Sequence, residues 1–153
     1  EWQWVVAWAP AALRARLSGG RRGGAVAAAT ETSVWQTHAK YLDDLLALTA
    51  EGHVVRLAYA ESLSRQNERV ETALGLWAAW WRDVMLAQQG QTDALLNLDR
   101  KTQVIQHAEL YRPEQAQAAV VDLMAALRRA RGNVNLRLAL DVLLLRLPKP
   151  AVN

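Results

Sequence analysis

The chain has 153 residues, 52% of them hydrophobic and 22% charged, which is typical of one globular domain that can form a real core. It contains no cysteine, which excludes disulfides and thiolate metal sites and suits a reducing, cytoplasmic location. The net charge of +3 resides in residues 1–30, whereas residues 31–153 carry fourteen acidic and fourteen basic side chains. Because a nucleic-acid-binding domain usually carries its basic excess on its main body, this distribution argues against one.

Almost every segment has the pattern of an α-helix, and no stretch alternates with a period of two over four or more residues. Pro10 suits the first turn of a short helix, which the glycine-rich run SGGRRGG at 18–24 would end. Ser33 is the predicted cap of the first long helix, which should end near Gly52. A shorter amphipathic helix follows over 53–66. Since the chain begins with Glu1, we expect it to be part of a longer protein.

The second half of the chain continues the helical pattern. Asn67 should cap a helix that ends at Gly90, and a further helix is predicted from Leu98 to Leu110. The remaining two predicted helices run from Pro113 to Gly132 and from about Asn135 to Leu147, with Pro148 as the final stop. We therefore predict an all-α fold, a bundle of about five main helices preceded by one or two short ones.

Three tryptophans lie within five residues in WAAWWRDVMLAQQG, residues 77–90. Helical spacing places Trp77, Trp80 and Trp81 on one face with valines and leucines, and the opposite side is also largely apolar. The last helix, NLRLALDVLLLRL, is similar, and its Arg137 and Asp141 are spaced to pair. Such helices must be covered on nearly all sides, so either both are central or one is covered by another subunit.

The apolar stretches are not predicted to cross a membrane. Within residues 72–92, Arg82 and Asp83 would each cost roughly 2.5–3.5 kcal/mol near the centre of a bilayer. The opening EWQWVVAWAPAAL is short for a span and lacks a preceding basic region. We therefore expect the helix that contains the tryptophans to be buried in protein.

No catalytic site, metal site or cofactor site is predicted. SGGRRGG has glycines at P-loop spacing, but Ala25 and Val26 stand where lysine and a hydroxyl are required, so we expect no ATP hydrolysis. The run is either a flexible glycine turn or a helix start that brings Arg21 or Arg22 near a nucleotide phosphate. The remaining candidates have simpler structural interpretations: scattered histidines (His38, His53, His107), a solvated acidic pair (Asp43, Asp44) and a basic helix end (Arg128, Arg129, Arg131).

Three stretches resemble a known family. ARLSGGRRGGAV (15–26) is similar to the end of an AAA+ lid domain in clamp-loader subunits. WWRDVMLAQQG with LLNLDR (80–90 and 95–100) resembles the middle of the C-terminal domain of the bacterial DNA polymerase III delta-prime subunit. GNVNLRLALDVLLLRLP (132–148) resembles the last helix of that domain, including an asparagine-capped start at Asn133 or Asn135. The resemblance covers about 13–148.

The resemblance implies an assembly function without catalysis. Residues 1–32 would be the tail of the lid, residues 33–148 the helical collar that joins the subunits, and residues 149–153 a tail. The partners would be the other clamp-loader subunits, with DNA and the sliding clamp reached only through the full complex, and no membrane. The implied core or subunit-interface residues are Trp77, Trp80, Trp81, Leu138, Leu140, Val142, Leu143, Leu144 and Leu145.

Two alternatives stay open at this point. Leu136 and Arg22 stand where the family often has proline, which leaves the collar of the related ATP-hydrolysing loader subunit as an alternative. The other alternative is a free-standing helical DNA-binding module that uses the basic residues of 11–22 and the arginines at 128–131. DNA binding of that kind would weaken steeply with salt, whereas association through apolar surfaces would not.

Overall fold

Six α-helices and two short 3₁₀ turns account for most of the part of the chain that the computed structural model describes, residues 25–132 and 135–150. Side chains are described from Thr32 onward. The helices are α1 (Ala25–Ala50), α2 (His53–Ser64), α3 (Asn67–Gln88), α4 (Lys101–Leu110), α5 (Pro113–Arg131) and α6 (Leu136–Leu145). These two ranges contain no β-strand, so the predicted all-α fold is confirmed. The short helices predicted before residue 25 lie outside the described residues.

Helix α1 begins earlier than the sequence predicted. It runs without a break from Ala25 to Ala50, and Ser33 therefore lies inside it instead of capping it. The carbonyl of Ser33 accepts a hydrogen bond from the Thr37 hydroxyl at 3.0 Å, as in a helix interior. The alanine-rich sequence at 25–31 has a high helix propensity and offers no reason to stop. The helix thus crosses the predicted domain boundary at 32/33, and that division of the chain stays a prediction.

Helix α3 ends at the predicted glycine but starts differently. Gly90 has φ of 76°, in the left-handed region, and the Gly90 and Gln91 amides donate to the carbonyls of Ala87 and Leu86. This is the hydrogen bonding of a Schellman motif, which glycine favours because it has no Cβ. Asn67 is the first helical residue, not the cap. Gln66 takes the N-cap position, but its side chain makes no capping hydrogen bond to the backbone.

Helix α3 is the central element of the bundle. It packs against α1, α2, α4 and α5, while α6 packs against α2 and α5. From Val70 to Gln88 no residue of α3 is exposed, because neighbours cover every side of the helix. One continuous apolar core includes side chains from all six helices. Of the two all-round apolar helices in the sequence, α3 is therefore the central one.

The segment after α3 differs from its prediction. Two 3₁₀ turns, Thr92–Ala94 and Leu98–Arg100, precede α4, which begins at Lys101 rather than at Leu98. The later boundaries agree more closely: α5 begins at Pro113 and ends before Gly132, and α6 ends at Leu145, two residues before the predicted end. Among the described helices, none is long and apolar enough to span a membrane.

Candidate interaction surface

Helix α6 has one buried apolar face and one exposed apolar face. Leu138, Val142 and Leu145 are exposed to 59%, 40% and 38%. Their spacing of four and three residues places them on one side of the helix. The buried face consists of Ala139, Leu140, Leu143 and Leu144. The helix is therefore half core and half open surface, and the structure assigns each leucine to one side.

The start of α6 is fixed by an asparagine cap. Asn135 occupies the N-cap position, and its side-chain oxygen accepts a hydrogen bond from the Leu138 amide at 3.2 Å. This satisfies one of the amide groups that the first turn leaves without a helical partner. The other predicted cap, Asn133, lies outside the described residues. Because Leu138 follows in the capped first turn, the exposed face begins directly at the cap.

Ion pairs flank the exposed face of α6. Arg137 pairs with Asp141 at 3.0 Å and lies 3.7 Å from Glu61 of α2. Arg146, after the helix, pairs with Asp122 of α5 at 3.2 Å. The sequence-predicted Arg137–Asp141 pair is thus present, and these charges are balanced within the protein. The surface between them is apolar.

A shallow hollow adjoins the same face. It has a volume of about 300 Å³ and is formed between α5 and the first half of α6. Its walls include Leu138, Ala139 and Val142, with Arg129 on the α5 side. A protruding apolar side chain of a partner would find apolar walls here and one cation at the rim. Exposed apolar surface next to a concavity is typical of protein–protein contacts.

Arg56 of α2 fixes the other end of α6. Its side chain is fully buried, and its guanidinium donates to the carbonyls of Leu144 and Leu147 at 3.1 and 2.9 Å. It also donates to the carbonyls of Leu48 and Thr49, at the end of α1, at 2.9 and 3.1 Å. One side chain therefore joins the ends of α1 and α6 to the start of α2.

The three tryptophans of α3 are core residues only. All three are completely buried. The Trp77 indole donates to the Tyr41 carbonyl at 2.9 Å, and the Trp80 indole donates to Nδ1 of His107 at 3.3 Å. Trp81 packs edge-on against the Tyr111 ring. Of the two roles predicted for these residues, core or subunit interface, their burial in the folded chain agrees with the core.

Asp83 connects the two motifs WWRDVMLAQQG and LLNLDR. Its carboxylate is fully buried and accepts hydrogen bonds from the amides of Leu96 and Asn97 at 2.8–3.1 Å. The Asn97 side chain donates to it at 2.8 Å, and Arg82 lies at 3.2 Å. Burial raises the pKa of this carboxyl, while these donors partly offset the effect. Asp83 thus ties the segment between α3 and α4 to helix α3.

Other predicted residues do not come together as a site. Arg21 and Arg22 lie outside the described residues. His53 is exposed, His38 is buried and His107 is half-buried, and burial lowers the pKa of both His38 and His107. In the described part of the chain, no group of three or more His, Cys, Asp or Glu could hold a metal ion. The expectation that the chain binds no cofactor stays a prediction.

The acidic pair on α1 is not simply solvated, as the sequence had suggested. Asp43 is largely exposed and pairs with Arg100 at 2.7 Å. Asp44 accepts a hydrogen bond from the Tyr59 hydroxyl at 2.8 Å, at the contact between α1 and α2. The two carboxylates do point to different partners, in agreement with their adjacent positions on a helix.

The basic residues at the end of α5 differ in their surroundings. Arg131 pairs with Glu71 at 3.2 Å, and Arg128 and Arg129 are exposed. Their position in the last turn complements the helix dipole, as predicted. Two exposed arginines on one helix end form a small basic surface next to the hollow at α6.

The structural roles of Arg56 and Asp83 were not predicted from the sequence. Each is a charged residue in an otherwise apolar setting, and that is the signal that could have indicated a buried charge with specific partners. For Arg56, the partners are backbone carbonyls up to 91 residues away, which no local pattern reveals.

No family model matches the chain, and its comparison with curated proteins and with solved structures gives no match.

Proposed function

We propose that the chain is the helical collar of a bacterial DNA polymerase III clamp loader, of the delta-prime type, and joins other loader subunits through the exposed face of α6. The single observation that supports this most is the apolar row of Leu138, Val142 and Leu145 on a capped, firmly anchored helix. A soluble domain gains nothing from such a row unless something covers it. Because the last helix resembles that of the collar family, we expect the partner to be another clamp-loader subunit.

In this proposal the chain is a structural subunit, not an enzyme. It acts in the cytoplasm, contributes no cofactor, and meets DNA and the sliding clamp only as part of the assembled loader. The two motifs joined by Asp83 would have a structural role, because the Asp83 carboxylate accepts its hydrogen bonds from within the chain. The collar of the ATP-hydrolysing loader subunit remains the alternative within the family.

The test places a charge on the exposed face of α6. Leu138→Glu and Val142→Glu are compared with Ile105→Glu, a substitution at another exposed apolar residue, on α4, which packs against α3. Circular dichroism measures folding, and size-exclusion chromatography measures co-elution with the loader subunits of the same genome. We expect all three variants to fold. The two α6 variants should bind the assembly at least about thirtyfold more weakly, since a central interface residue contributes roughly 2 kcal/mol or more.

Co-elution of both α6 variants at wild-type strength would refute the proposed interface. As a comparison on the buried face of α6, Leu140→Glu should unfold the chain. This result would verify that the buried and exposed faces of α6 differ. The DNA-binding alternative has its own variant, in which Arg128 and Arg129 are both changed to alanine. If that variant alone loses a salt-sensitive affinity for duplex DNA, while the α6 variants lose nothing, the DNA-binding function replaces the collar.

A further inference from the structure

The hollow between α5 and α6 is lined by three apolar side chains and two polar ones. Leu138, Ala139 and Val142 are the apolar part, and Arg129 and Asn135 are the polar part. The Asn135 side chain already accepts a hydrogen bond from the Leu138 amide, as the cap of α6. Arg129 is exposed, and among the described residues no carboxylate pairs with its guanidinium. Its N–H donors are therefore available to a group outside the chain.

Arg129 differs in this respect from two other arginines beside α6. Arg137 pairs with Asp141 at 3.0 Å, and Arg146 pairs with Asp122 at 3.2 Å. Those two charges are balanced within the chain, whereas Arg129 leaves a positive charge at the wall of the hollow. A partner that covers the hollow must supply an anion, or it desolvates this cation without compensation. Charge complementarity therefore favours a carboxylate opposite Arg129.

The same surface is poorly suited to nucleic acid. Arg128 and Arg129 would neutralise about two phosphates, whereas the strong, salt-dependent binding of duplex DNA rests on roughly 6–10 phosphate contacts. A phosphate backbone also gains nothing by covering Leu138 and Val142, which line the same hollow. An apolar side chain of a protein gains free energy there, because both surfaces leave water. The combination of apolar walls and one cation favours a protein partner.

We propose that the partner of this surface is a protein segment that places an aliphatic or aromatic side chain in the hollow and an aspartate or glutamate beside it, paired with Arg129. The apolar side chain would contact Leu138, Ala139 and Val142, and the carboxylate would accept hydrogen bonds from the planar guanidinium. This inference rests on the proposed interface and makes it more specific, since it states what the neighbouring subunit must offer. Arg128, the preceding residue, does not line the hollow and should contribute little.

The first test compares charge reversal at two adjacent positions. Arg129→Glu and Arg128→Glu change the net charge equally, and both lie in the last turn of α5, so the helix dipole affects their folding alike. Circular dichroism verifies that both fold. In titration calorimetry with the loader subunits of the same genome, Arg129→Glu should bind about five- to thirtyfold more weakly, because an attraction becomes a repulsion, and Arg128→Glu within about threefold of wild type. At about 1 M salt, which screens exposed charges beyond roughly 3 Å, the two variants should differ by no more than about twofold.

The second test does not require the clamp loader. Its probes are two synthetic helical peptides of the same sequence, each with a row of leucines and, one helical turn after the central leucine, either glutamate or glutamine. NMR chemical-shift titration of the full chain reports their binding at Leu138 and Val142. The glutamate peptide should bind the wild-type chain about three- to fivefold more tightly than the glutamine peptide does, the upper range for an exposed ion pair. In Arg129→Gln the two peptides should bind equally.

The outcomes separate this inference from the proposed function. Equal affinity of the two peptides for the wild-type chain, or shifts that never saturate with either peptide, would overturn the inference. Equal losses of loader binding in Arg128→Glu and Arg129→Glu would overturn it as well. If the wild-type chain does not bind the loader subunits, the collar proposal fails, and the peptides still decide the chemistry of the surface. Equal losses of duplex DNA binding in both arginine variants, without peptide binding, would assign the surface to nucleic acid.

Discussion

Changing Arg56 to methionine should remove the contact that holds three helix ends together. The buried guanidinium donates four hydrogen bonds of 2.9–3.1 Å, all to backbone carbonyls. Methionine keeps most of the apolar stem and the helix propensity, so the substitution isolates the charged group. Because the acceptors are backbone atoms, no second substitution can remove them. The carbonyls must stay where they are without this donor.

The expected loss of stability depends on which of the four carbonyls keep another hydrogen-bond donor. The Leu48 carbonyl also accepts from the Glu51 amide at 3.2 Å, and the Leu144 carbonyl accepts from the Leu147 amide at 3.3 Å. Among the described residues, no other backbone amide outside the helices donates to the carbonyls of Thr49 and Leu147. Two buried acceptors left unsatisfied cost about 1–3 kcal/mol each. Since removing a buried cation returns part of its desolvation cost, we expect a net loss of about 2–4 kcal/mol.

Urea denaturation followed by circular dichroism measures this difference directly. For a domain of this size, the loss corresponds to a decrease of the melting temperature of roughly 5–15 °C. Arg65→Met is the matched control, because Arg65 is exposed and forms a surface ion pair with Glu61 at 2.6 Å. Its stability should change by no more than about 0.5 kcal/mol. A loss below about 1 kcal/mol for the Arg56 variant would show that water replaces the guanidinium, and our account of how α6 is anchored would be wrong.

Three further predictions concern the core. Truncating Trp77 to alanine should cost about 3–5 kcal/mol in a denaturation experiment, and a smaller loss would mean that the core collapses around the gap. Asp83→Ala should speed hydrogen exchange at the Asn97 amide far more than at the end of α5, because that amide loses its acceptor. Stability should fall as the pH decreases from 7.5 to 5.5. Burial lowers the pKa of His38 and His107 in the folded state, so protonation favours the unfolded chain, by up to about 1.4 kcal/mol per pH unit for each group. His107→Gln should reduce this slope, and an unchanged slope would contradict the assignment.

Much of the helical layout was predictable because its signals are local. Pro113 at the first position of α5, Gly90 after α3 and Asn135 before α6 each act within a few residues. Where a local signal competed with another, the prediction failed. Ser33 has a good capping side chain, yet the alanine-rich residues before it continue the helix. Local signals therefore predicted the helices, and the errors lie where two local signals conflict.

The sequence alone also determined that two helices were apolar nearly all round, but it could not say what covers each of them. For α3, the tertiary structure places helices on every side, so its tryptophans are entirely core. For α6, it leaves Leu138, Val142 and Leu145 in the open. The physical reason is that periodicity records which residues avoid water, whereas coverage depends on contacts between residues far apart in the chain. Arg56 makes such contacts, since it donates hydrogen bonds to carbonyls 88 and 91 positions away. No pattern in the residues around Arg56 predicts them.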